Sequence, residues 1–126
     1  MSDYESPLAT RYATRAMLEN FSDRRRALLW RDLWIALARA EHELGLPVRA
    51  EQVAALEAAR ETIDFGRVAA LEAELRHDVM AHVHHYGEVA GHDAGKIIHL
   101  GATSCFVTDN AELVMMRAGL ELLMDR

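Results

Sequence analysis

The residues best suited to chemistry lie in one segment, His99-Leu-Gly-Ala-Thr-Ser-Cys-Phe-Val-Thr-Asp-Asn110. It combines a histidine, a glycine-led turn, adjacent hydroxyls at Thr103 and Ser104, and an Asp-Asn pair. That mixture suits neither a helix interior nor a buried strand. It suits a loop that holds an anion, because glycine permits close backbone approach and hydroxyls donate to carboxylate oxygens. Thr108-Asp109-Asn110 reads as the start of the next helix, whose free N–H groups and dipole also favour negative charge. Cys105 lacks the signature of a Cys–His nucleophile and reads as a small buried residue.

A second cluster is Arg76-His77-Asp78-Val-Met-Ala-His82-Val-His84-His85. Within a continuous helix, successive side chains diverge by about 100°, so Arg76, His77 and Asp78 do not serve one ligand equally. Asp78 is free to orient a neighbour or bond to backbone, leaving Arg76 and His77 for a phosphate or carboxylate. The competing reading is a solvated helix face rich in histidine. Asp78, His82 and His85 fall at i, i+4 and i+7 and could share a divalent ion. Their spacing is not that of the helical His-Glu-x-x-His zinc motif, and no metal is assigned. Arg11 and Tyr12 form a third pair, suited to gripping a phosphate by charge and hydroxyl. Trp30 and Trp34, one helical turn apart, read as core or interface, and Arg24-Arg25-Arg26 as a solvated helix start.

Helices must position these groups. After a polar start, Ser6-Pro7 favours an extended entry. A first helical run is expected from about Ala9 to Asn20. Ser22 or Asp23 can cap the next, where Leu29, Leu33, Trp34, Leu37, Ala40 and Leu44 recur at helical spacing until Gly45 and Pro47 stop it. An alanine-rich helix follows over Glu51 to Arg60. Asp64 caps a longer run carrying Val68, Leu71, Leu75, Val79 and Val83 in period. His92 to Gly95 reads as a turn, and Ile97-Ile98 as a short extended step into the opening motif. The final segment places Leu113, Met116 or Arg117, Leu120 and Leu123 or Met124 at helical spacing and has no stop signal. The fold class is all-α.

The 126 residues, half of them hydrophobic, are enough for one domain with a sizeable core. A net charge of −6 argues against nucleic-acid binding. One cysteine permits no internal disulfide, which points to the cytoplasm. No apolar run approaches the roughly 18 residues of a membrane span, and no signal peptide opens the chain.

In this order, Ser6-Pro-Leu-Ala-Thr-Arg-Tyr12, Trp30-Arg-Asp-Leu-Trp-Ile-Ala-Leu-Ala38, Arg76-His-Asp-Val-Met-Ala-His82 and His99 to Asn110 resemble the adenylosuccinate lyase family of the fumarase/aspartase superfamily. The resemblance runs from about Tyr4 to the last residue, and its last two motifs are the specific ones. It implies an N-terminal lyase domain over residues 1–107 and the start of a long central helical bundle over 108–126. It also implies a longer, homotetrameric enzyme of purine synthesis whose active sites each draw on three subunits and need no cofactor. The implied reaction eliminates fumarate from adenylosuccinate, giving AMP, and from a related succinyl-carboxamide ribotide.

Carried over by the resemblance, Arg11 and Tyr12 hold the phosphate end of a purine nucleotide. Arg76, His77 and Asp78 form a second substrate-contacting segment. Thr103 and Ser104 bind the succinyl carboxylates, with His99 beside them. The family's general base, a serine, and its general acid, a histidine, are expected beyond position 126, so no catalytic residue is assigned here and the isolated chain is expected to be inactive. Leu113, Leu120 and Leu123, left without partners, favour self-association. The alternatives are a sister lyase of the superfamily, or a non-catalytic helical module linked to a metal through Asp78, His82 and His85.

Overall fold

The computed structural model describes residues 3–126. The chain is 74% helical, with no strand among the described residues. A π-helical turn spans Leu8–Tyr12, and seven α-helices follow: α1 Arg15–Asn20, α2 Asp23–Glu43, α3 Ala50–Ala59, α4 Phe65–Leu75, α5 Asp78–Ala90, α6 His92–Gly95 and α7 Ser104–Met124.

The expected first helix is broken. Thr14 is extended, and its hydroxyl accepts from the Met17 N–H at 3.3 Å, so α1 begins only at Arg15. Ser22 caps α2 through the Arg25 N–H at 3.1 Å, and Gly45 stops the chain beyond it in a left-handed conformation, φ +80°. Asp64 caps α4 through the Arg67 N–H, as the sequence predicts. The long run after it is not one helix, however. Arg76 adopts the left-handed region (φ 53°), and the imidazole of His77 accepts from the Met80 N–H at 3.2 Å to start α5 afresh. Apolar spacing misses this break because Val79 and Val83 still point inward on the new helix.

α2 runs through the middle and packs against α3 and α7, while α5 packs against α3, α4 and α6. One core joins Trp30, Trp34, Ile35, Leu56, Val79, Val83, Tyr86, Ile97, Ile98 and Val107. Ile97 and Ile98 are buried but lie in consecutive turns after α6, not in an extended step. The core layers are pinned by polar bonds as well as burial. The Tyr86 hydroxyl donates to the Leu56 carbonyl at 2.6 Å, and the buried Arg31 guanidinium donates to the carbonyls of Ala59, Arg60 and Thr62 at the end of α3.

α7 starts at Ser104, four residues before the expected Thr108, because Thr103 takes the extended N-cap position. Thr108 and Asn110 therefore sit inside the helix, bonded back to the carbonyls of Ser104 and Phe106. Its buried stripe is Val107, Ala111, Met115 and Gly119. Leu113, Met116, Leu120, Leu123 and Met124 lie on the exposed face.

Candidate substrate-binding site

Two loops carry the remaining candidate residues, one before α5 and one before α7. In the first, Arg76 and His77 bridge α4 and α5 and line a groove of about 690 Å³ with Ala69, Glu72, Ala73 and Asp78. Arg76-His77-Asp78 is thus an exposed junction, not three positions fanned around a helix. Asp78 turns to the backbone, accepting from its own helix at the Val79 N–H, 2.8 Å away.

In the second loop His99 is left-handed (φ 65°) and its Nδ1 accepts the indole N–H of Trp34 at 2.9 Å. Histidine tolerates that conformation better than most non-glycine residues. Burial, and after it the charge of His77, hold the His99 imidazole below its ordinary range. Gly101 is also left-handed (φ +76°), with no atom of the chain near the place of a Cβ, so backbone conformation accounts for this glycine and close approach of chain atoms does not.

Thr103 and Ser104 complete this corner. Thr103 is the N-cap of α7 yet makes no side-chain cap bond, and neither hydroxyl is engaged by another group among the described residues. The first turn of α7 carries no acidic residue to complement its free N–H groups. His77, His99, Thr103 and Ser104 thus offer donors from two loops, with Arg76 exposed at the edge of the first.

Arg11 and Tyr12 do not join them. Both are exposed in the N-terminal π-helical turn, and Tyr12 lines a cavity with Leu8, Met17, Leu122, Leu123 and Arg126 at the far end of α7. At about 1.5 Å per residue, the 21 residues of α7 put roughly 30 Å between that cavity and Thr103.

The histidines that invited a metal are occupied otherwise. His82 packs edge-on to Trp30 and Phe65, with ring centroids at 5.1 and 6.4 Å, and its imidazole is pushed down to about 4, first by burial and then by the Arg31 charge. His85 is buried and accepts the Asp64 N–H at 2.9 Å. No group of three potential ligands among the described residues could hold an ion. Cys105 is exposed, contrary to the expectation of burial, because it falls on the outer side of α7's first turn.

Sequence reasoning missed Trp34 as a partner of the site. Its helical spacing with Trp30 signals only a core position, and nothing local announces a bond to a residue 65 positions away.

No protein-family model matches the chain. Individual proteins do, and over nearly its full length. It is 48% identical to the adenylosuccinate lyase of Schistosoma mansoni and 46% identical to that of Saccharomyces cerevisiae, each over 98% of this chain. The enzyme of the same name from Schizosaccharomyces pombe is 45% identical over the same share. Over nearly its whole length the chain is similar to adenylosuccinate lyases. It spans 26% of the length of each of these relatives.

Proposed function

We propose that this chain supplies substrate-gripping residues to an adenylosuccinate lyase. The whole enzyme would release fumarate from adenylosuccinate, leaving AMP, and from the succinyl-carboxamide ribotide of purine synthesis. One observation carries the reading: the hydroxyls of Thr103 and Ser104 are unspent at an acid-free helix start, beside His99. A β-elimination needs a base to take the proton next to a carboxylate and an acid to protonate the departing nitrogen. Charge then spreads onto that carboxylate, and fixed donors stabilise it. Thr103, Ser104 and the α7 N–H groups are suited to hold one carboxylate, with His99 and His77 donating nearby.

Arg76 extends the same wall toward a second anionic group, and Asp78 fixes the start of α5 beneath it. Arg11 and Tyr12 serve the nucleotide phosphate of a site shared between subunits, which accommodates their distance from Thr103. Residues 1–107 form the N-terminal lyase domain, and 108–126 open the central bundle through which four copies assemble in the cytoplasm. The general base and general acid come from segments beyond Arg126, and no cofactor takes part.

A chimera tests this. With the matching stretch of the Saccharomyces cerevisiae adenylosuccinate lyase replaced by this chain, the purified tetramer should release fumarate from adenylosuccinate, while the chain alone should release none. An assembled chimera without activity would overturn the assignment. Fumarate release by the chain alone would overturn the division of labour.

A further inference from the structure

Trp34 is an unusual core residue because its one polar atom is spent on a loop histidine. The ring is almost wholly buried, at 1% exposure, edge-on to Trp30 and tilted against Tyr86, each with centroids at 6.3 Å. It therefore has little freedom to turn. The indole N–H only donates, so the His99 Nδ1 that it meets at 2.9 Å must be an unprotonated acceptor. In a neutral imidazole the proton then sits on Nε2. Trp30, one turn earlier on α2, is also buried, but its indole N–H has no partner among the described residues.

We propose that Trp34 is a positioning residue that fixes His99 as a neutral Nε2–H donor for the anion held by Thr103 and Ser104. The ligand half of this statement rests on the function proposed above. The tautomer half rests on the Trp34 contact alone. His77 is set the same way by a different device: its Nδ1 accepts the Met80 backbone N–H at 3.2 Å, so its neutral form also carries the proton on Nε2. Two imidazoles from two loops thus present the same donor nitrogen.

The device has a built-in sign. Protonating His99 would set an Nδ1–H against the indole N–H, so the contact survives only while His99 is neutral. His77 is the titratable group that bears on it, and it opposes a second positive charge. Replacing tryptophan by phenylalanine keeps an aromatic ring but removes the donor, so both nitrogens of His99 become available to the proton.

Nitrogen-detected or long-range ¹H–¹⁵N NMR of the histidine rings in this chain reads the tautomer directly. Wild-type His99 should show the Nε2–H form alone. Trp34→Phe should give a mixture of tautomers and a His99 midpoint shifted to higher pH, while Trp30→Phe should leave both unchanged. If Trp34→Phe does not fold, the wild-type indole signal decides: the Trp34 N–H resonance should shift with the midpoint of His99, and that of Trp30 should not. An Nδ1–H or mixed His99 in the wild type would overturn the proposal. So would a Trp34 resonance that ignores the His99 titration. In the chimera, Trp34→Phe should lower kcat/KM by roughly tenfold or more and alter its pH profile. The NMR needs no substrate, so a failure there sinks Trp34's role, whereas an inactive wild-type chimera sinks the lyase reading.

Discussion

The side-chain amide of Asn20 donates to the main-chain carbonyl of Met115 at 2.8 Å, joining α1 to the second half of α7 across 95 positions. Asn20 is buried, and Gly119 lets the adjacent Phe21 ring close onto α7, since a Cβ there would stand 3.2 Å from Phe21 Cζ. The contact hangs the N-terminal turn, with Arg11 and Tyr12, at the opposite end of α7 from Thr103. Asn20→Ala should cost about 1–2 kcal/mol, the worth of one buried hydrogen bond plus lost packing. Urea unfolding measures it, and an unchanged midpoint would show that the bond does not hold the turn.

Acid should destabilise the fold through His82. Its imidazole titrates near 4 in the folded chain because it is buried beside Arg31, against about 6.5 when unfolded. Between those values the unfolded chain binds a proton that the folded chain refuses. Stability is therefore full above about pH 6.5 and falls as pH drops toward 4. His99, also held low, adds the same sign. The urea midpoint should be lower at pH 5 than at pH 7.5, and His82→Phe should weaken that dependence. A midpoint that rises on acidification would contradict the burial argument.

Arg31 should be among the most sensitive positions on α2. One of its terminal nitrogens donates to three carbonyls at 2.7 to 3.0 Å, and its guanidinium lies 4.2 Å from the Tyr86 ring centroid. Arg31→Ala should cost about 2–4 kcal/mol, because it orphans the end of α3 and leaves a gap above Tyr86. Arg31→Lys should recover only part, since an ammonium lacks the flat guanidinium face that lies over the Tyr86 ring. Arg31→Ala also removes a positive charge that opposes His82 protonation, so the NMR titration of His82 should move to higher pH.

Much of the fold was legible because helices announce themselves through caps and spacing. Ser22, Asp64 and Gly45 do what their types predict. The breaks that escaped were made by residues without a breaker's signature. Arg76 supplies a left-handed cap where glycine would have been the signal, and His77 caps α5 with an imidazole where a serine or aspartate would have been read. Thr14 and Thr103 are good N-cap types, but each is set within a run whose apolar spacing or loop chemistry pointed elsewhere.

The candidate site was legible as residue types and not as an arrangement. Thr103, Ser104 and His99 are neighbours in sequence, so their proximity needs little folding to see. The Trp34 contact with His99 depends on how α7 and the loop before it are set against α2. No local pattern encodes it. Separation of Arg11 and Tyr12 from the rest follows from the length and direction of α7, which spacing alone does not orient.

In the proposed enzyme Thr103 and Ser104 grip a substrate carboxylate. The most direct measurement of that grip is steady-state fumarate release by the chimera carrying Thr103→Val and Ser104→Ala, with assembly checked alongside. Losing two hydroxyl donors to an anion should lower kcat/KM by roughly a hundredfold or more, at about 1.5–3 kcal/mol for each bond to a charged group, with the tetramer intact. An assembled double variant that retains the kcat/KM of the parent chimera would contradict the claim.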